Sequence, residues 1–195
     1  VKISVILAHP NPASFNHAIA QMAVRTLERL GHQVSFHDLY AQGFDPVLPA
    51  AEIHPGAPLP AWLKRHCAEV AQADGLIIVH PNWWGQPPAI LKGWVDRVFR
   101  PTVAYKFLEG DLGEGVPVGL LKARAALVFT TSNTPPERER SVFGDPLETI
   151  WKNCLFGLCG VENFYRRNFE VVVTSTFKER QRWLAEVQET VGRFF

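Results

Sequence analysis

The segment Gly75-Leu76-Ile77-Ile78-Val79 carries no polar side chain, and Ala125 to Phe129 repeats the pattern before ending in Thr130 and Thr131. A strand with one wet face alternates apolar and polar residues, whereas a strand covered on both faces does not. These runs have strand length and are too short for a buried helix. They therefore demand a sheet with helices on both sides, and such sheets are parallel. Parallel neighbours need crossover connections, which the rest of the chain supplies as segments of helical period.

The pattern predicts strands over Lys2 to Ala8, Gln33 to His37, Gly75 to Val79, Ala125 to Thr131 and Phe164 to Val173. It predicts helices over Asn16 to Leu30, Ala61 to Ala73, Pro88 to Phe99, Pro146 to Leu158 and Lys178 to Phe194. In the first helix Ile19, Met22, Ala23, Leu27 and Leu30 share a face, and Gly31 stops it. Strands alternating with helices make an α/β fold: a three-layer, doubly wound, parallel five-stranded sheet of order 2-1-3-4-5, forming one domain over residues 1–195. Residues 41–60, with five prolines, and residues 100–122, with the Gly-containing loop Glu109 to Gly119, exceed what connection requires. They are expected to shape a pocket or a partner contact.

Composition removes several classes of function. Lys+Arg 20 against Asp+Glu 19 leaves a net charge of +1, so nothing recommends a nucleic-acid partner. No apolar stretch is long enough to insert into a bilayer. The opening Val1 to Ala8 has the apolar character of a signal segment but lacks its basic flank and cleavage site, so it reads as the first strand. Cys67, Cys154 and Cys159 have no paired spacing and read as reduced core thiols in a cytoplasmic protein. The seven histidines form no HExxH or Cys/His cluster, so no metal site is expected.

Three loops follow carboxyl ends of strands, where ligands of open α/β sheets bind. The first, His9-Pro10-Asn11-Pro12-Ala13-Ser14-Phe15-Asn16, runs into a helix whose free N–H groups suit a phosphate. The second, His80-Pro81-Asn82-Trp83-Trp84-Gly85, offers flat aromatic surface and an amide. The third, Thr130-Thr131-Ser132-Asn133, offers hydroxyls and an amide. The 2-1-3-4-5 order makes the three parent strands neighbours, so the loops converge on one crevice that describes a flavin mononucleotide site. No GxGxxG turn or Walker A pattern is present, which argues against a dinucleotide fold of that type and against an NTPase.

Leu7-Ala8-His9, Ser14-Phe15-Asn16, Asp38-Leu39-Tyr40, Trp83-Trp84-Gly85 and Pro88-Ala89-Ile90-Leu91-Lys92-Gly93-Trp94 together resemble the NAD(P)H:quinone oxidoreductase family of flavodoxin-like proteins. The family includes diaphorases, general-stress oxidoreductases and ancillary subunits of glutathione-gated potassium efflux systems, and the likeness covers nearly the whole chain. It implies a flavodoxin-like fold, a homodimer with a flavin at each of two interface sites, and ping-pong hydride transfer from NAD(P)H to quinones or related electron-poor aromatics. The alternative it implies is a flavin-binding regulatory subunit with a potassium/proton antiporter as partner. By the same resemblance His9, Ser14, Phe15 and Asn16 would hold the flavin phosphate and ribityl chain. His80, Pro81, Asn82, Trp83 and Trp84 would line the ring system, and Thr130, Thr131, Ser132 and Asn133 would meet its far edge.

The chain departs from the diaphorases after the two threonines. Ser132-Asn133 stands where they have a glycine pair, and Glu137 to Phe143 contains neither their tyrosine nor their histidine. No catalytic acid or base is therefore carried over. The chain also lacks the C-terminal extension that embraces an adenine, which favours FMN over FAD. Arg138 and Arg140 read as part of a solvated charged loop, with the 2′-phosphate of NADPH as the alternative. Tyr105 and Phe107 could overhang the pocket or pack at a dimer contact. Of the adjacent pair Trp83 and Trp84, an extended loop would bury one and present the other.

Overall fold

The computed structural model describes residues 1–108, 110 and 114–195. Glu109, Asp111, Leu112 and Gly113, within the predicted loop Glu109 to Gly119, lie outside the described residues. The central sheet holds β1 (Lys2–Leu7), β2 (Gln33–Asp38), β3 (Gly75–Pro81), β6 (Ala125–Ser132) and β7 (Asn163–Glu170). Their spatial order is β2-β1-β3-β6-β7, and every pairing is parallel. This is the predicted 2-1-3-4-5 order once the short antiparallel pair β4 (Tyr105–Lys106) and β5 (Val118–Gly119) is set apart.

Strand alternation divides the core into two halves. Ile3, Val5, Leu7, Ile77, Val79, Leu127 and Phe129 face α1 (Phe15–Arg29) and α6 (Phe177–Phe194). Ile6, Leu76, Ile78, Ala126 and Val128 face α2 (Ala61–Gln72) and α3 (Ala89–Val98). All seven residues of β3 and all eight of β6 are buried, so their lack of polar alternation follows from having a core on each side.

Several details depart from the sequence expectations. Met22 is only partly buried, and Leu30 caps α1 in solvent instead of completing its apolar face. Cys67 and Cys159 are buried thiols, whereas Cys154 is exposed and is no core residue. The last sheet strand stops at Glu170, and Val172–Thr174 forms a 3₁₀ turn instead of continuing to Val173. The predicted helix Pro146 to Leu158 is one α turn, α5 (Pro146–Glu148), that widens into a π-helix over Thr149–Gly157. The wider turn lets Trp151 and Phe156, five residues apart, stack with ring centres 5.8 Å apart and both enter the core. The supposed charged loop around Arg138 is a short helix, α4 (Pro136–Ser141). Its proline at the start, first-turn glutamates and last-turn arginines match the helix dipole.

The long 41–60 stretch is fastened to α3. Arg97 is buried and pairs twice with the buried Glu52, at 3.0 and 2.7 Å. A Cβ on Gly93 would lie 2.1 Å from the Pro46 carbonyl oxygen, so only glycine admits this approach. Trp94, one residue on, is fully buried and donates its indole N–H to His66 Nδ1 at 3.2 Å. Its face belongs to the protein's own core and offers nothing to a partner.

Candidate active site

The first strand-end loop is built around Ser14. Its side chain caps α1 by accepting from His17 N at 3.3 Å, and its Oγ also meets His17 Nδ1 at 2.9 Å. His17 Nε2 in turn meets Asp38 Oδ2 at 2.9 Å, so strand β2 steadies the cap through the imidazole. The N–H groups of Phe15 and Asn16 open the helix, where no carbonyl of the helix can reach them. Asn16 is buried and accepts a hydrogen bond from the Thr131 hydroxyl at 2.8 Å, while its Nδ2 has no partner.

His9 accepts from Asn11 N through Nδ1 at 3.1 Å, which leaves Nε2 as the donor. Burial, with the nearby His17, holds its pKa below the ordinary histidine value. Its ring lies 6.0 Å from that of Trp83.

The second loop is a tight turn, contrary to the extended geometry expected. Trp83 and Gln86 exchange backbone hydrogen bonds at 3.1 and 3.0 Å, and both central residues, Trp84 (φ 58°) and Gly85 (φ 69°), are left-handed. Such a turn favours glycine or asparagine, so Trp84 is held in a strained conformation. Asn82 anchors the turn. Its N–H donates to the Thr131 carbonyl at 2.7 Å, and its Oδ1 accepts from Gly85 N at 3.0 Å. Neither tryptophan fills the core: Trp83 is 43% exposed and Trp84 lies wholly in solvent.

The loops enclose one cavity of about 830 Å³, within the range of small-molecule sites. It is lined by His9, Ser14, Phe15, Asn16, Pro81, Asn82, Trp83, Trp84, Thr131, Ser132 and Asn133. Two predicted site residues stay outside it. His80 is fully buried on the opposite face of β3, where its Nδ1 bonds the Pro81 carbonyl at 2.8 Å and its Nε2 accepts from the Trp151 indole at 3.0 Å. Burial lowers its pKa to about 4, so this imidazole is neutral. Thr130 likewise points away from the cavity and bonds Asn168 Oδ1 at 2.8 Å. In both cases strand alternation sends the side chain to the α2–α3 face, while Thr131 reaches Asn16 on the α1 face. Tyr105 and Phe107 do not line the cavity; their rings meet edge to face at 5.9 Å.

The structure adds wall residues that sequence reasoning missed. Glu139 and Phe143 come from α4 and its exit, Pro146 from α5, and Val172 and Arg180 from the segment after β7. Arg180 donates to the Val172 carbonyl at 3.0 Å and to Ser175 Oγ at 2.8 Å. Glu139 accepts from Asn82 Nδ2 at 2.9 Å and is buried. A periodic signal for α4 could not have been read from six residues, though its charge order was visible. Arg138 and Arg140 are exposed; the Arg138 guanidinium lies 5.5 Å from the Phe143 ring centre.

A flavin phosphate suits this geometry on one observation above others: Asn16, which lines the cavity at the opening of the helix, is buried and leaves its amide Nδ2 without a partner.

A family model described as having a flavodoxin-like fold matches residues 1–191. An NAD(P)H oxidoreductase of Haemophilus influenzae is 37% identical over 164 residues, which cover 82% of this chain and 78% of that protein. NAD(P)H dehydrogenase (quinone) 1 of Cavia porcellus is 35% identical over 122 residues; the match covers 53% of this chain and spans less than half, 44%, of that enzyme. Among solved structures, a protein of Streptococcus mutans superposes with a TM-score of 0.84 at 33% identity, covering 98% of each chain.

Proposed function

The chain belongs to the flavodoxin-like fold family, and from that premise we propose that it is a flavin-dependent NAD(P)H oxidoreductase that reduces quinones or related electron-poor aromatics. The carrying observation is the convergence of three strand-end loops on one cavity, with a helix N-terminus and the free Asn16 amide at one side and a tryptophan-bearing turn at another. FMN is the proposed cofactor, and it would supply the capacity to accept and donate a hydride.

The protein's own contribution is binding and geometry. The N–H groups of Phe15 and Asn16 and the Asn16 amide would hold the phosphate, with the His17–Asp38 pair fixing the cap. Pro81 and Asn82, held to β6 through Thr131, would present backbone groups along the ring system, and Thr131, Ser132 and Asn133 would border its other edge. Trp83 and Trp84 would wall the substrate side. His80 and Thr130, though outside the cavity, set the ends of β3 and β6 from behind.

A single open face would serve NAD(P)H and the acceptor in turn, which predicts ping-pong kinetics. The enzyme names of the relatives favour this reading over a transporter's ancillary subunit. Denaturing the purified protein and measuring the absorption spectrum and mass of what leaves it tests the cofactor. Parallel double-reciprocal lines with NADPH and a benzoquinone test the cycle. Intersecting lines overturn the ping-pong order, and absence of both flavin binding and quinone reduction overturns the function.

A further inference from the structure

The cavity wall carries charged groups of both signs. Phe15, at the start of α1, packs its ring 5.7 Å from that of Trp183, one turn along α6 from Arg180, so this side gathers helix N–H groups and a guanidinium. Across the sheet ends, Asn82 joins Glu139 to the base of the Trp83–Gly85 turn. Glu139 is the one carboxylate among the described lining residues. It is 4% exposed, and among the described residues no Lys, Arg or His nitrogen lies within 4 Å of it. A charge in a poorly hydrated wall keeps a field that water would otherwise cancel. The segment Glu137 to Phe143 that supplies it is the one that departs from the diaphorase pattern.

We propose that Glu139 determines which acceptors this enzyme takes, selecting cationic and hydrogen-bond-donating ring systems and rejecting anionic ones. The carboxylate sits beside the exposed tryptophan turn that borders the proposed substrate side. An acceptor bearing a sulfonate or carboxylate would meet it as a like charge, and one bearing an ammonium or amino group would meet it as a partner. The inference rests on the quinone-reductase reading of the site.

The test uses the flavin-loaded protein and three benzoquinones matched in size: neutral, sulfonated and trimethylammonium-substituted. In the wild type, kcat/KM for the cationic quinone should exceed that for the anionic one by at least about tenfold. Glu139→Gln keeps an oxygen for the Asn82 amide and removes the charge. It should bring the ratio toward one. A ratio unchanged by the substitution overturns the proposal. If the variant does not fold, the wild type decides, because equal rates for the two charged quinones overturn it alone. If the wild type reduces no quinone at all, the functional reading fails separately. The charge preference is then read from quenching of tryptophan fluorescence by the two charged quinones, and equal affinities in the wild type overturn the role of Glu139.

Discussion

Two buried histidines each receive an indole N–H, and this fixes their protonation. His66 accepts from Trp94 and His80 from Trp151, so the accepting nitrogen of each must be bare. Burial lowers both pKa values to about 4, helped at His66 by neighbouring His37 and Arg65. The unfolded chain takes up these protons near the ordinary value of 6.5, the folded chain only near 4. Their stabilising effect is therefore complete above about pH 6.5 and is lost as the pH falls toward 4, at roughly 3 kcal/mol each. Urea unfolding at pH 7, 5.5 and 4.5 should show this decline, and His80→Gln, which keeps an acceptor for Trp151, should make it shallower. An unaltered slope in that variant would count against the assignment. At Asn16 the expected effect falls on binding. Asn16→Asp replaces an unpartnered donor by a carboxylate oxygen, so the flavin Kd should rise at least about tenfold, and the buried charge should lower the Tm as well. Unchanged affinity in a flavin titration would rule out this placement of the phosphate.

Elements show where local sequence logic was overruled. A loop read as extended would have buried one of Trp83 and Trp84, and the tight turn buries neither. Neither substitution to alanine should then carry the several kcal/mol of a lost core aromatic. Trp84→Gly should raise stability by about 1 kcal/mol through relief of the left-handed backbone, while slowing quinone reduction. A lower Tm together with wild-type kinetics would contradict both parts. The Glu52–Arg97 pair makes the opposite case, since its partners lie forty-five residues apart and nothing in the sequence joins them. Glu52→Ala removes the buried carboxylate from Arg97 and leaves its guanidinium only the exposed Asp45 carboxylate at 3.3 Å, so it should cost up to about 3 kcal/mol by denaturant unfolding. A loss under 1 kcal/mol would show that the loop is held by other contacts.

On the scale of the molecule, we propose a two-fold dimer whose partner would cover the exposed apolar side chains Val47, Leu48 and Ile53 on the 41–60 stretch and Trp84 at the cavity. Trp94 is not part of that surface, because it is fully buried in the core. Sedimentation at micromolar concentration should give a dimer. A fully active monomer would show that the site is complete in one chain. No helix among the described residues is long and apolar enough to cross a membrane.

The layered sheet and its order were legible in the amino acids alone, because burial on both faces removes polar alternation and leaves uninterrupted apolar runs at β3 and β6. The sequence also marked the three loops, since helix caps, prolines and paired aromatics are local signals. What it left undecided was direction. At a strand doubly buried, either face is apolar, so nothing local says that Thr131 turns toward Asn16 while Thr130 and His80 turn away. Glu139 and Arg180 were invisible for a related reason. Each enters the cavity only because a distant element, α4 or α6, packs beside the strand ends, and that proximity exists only once the chain has folded.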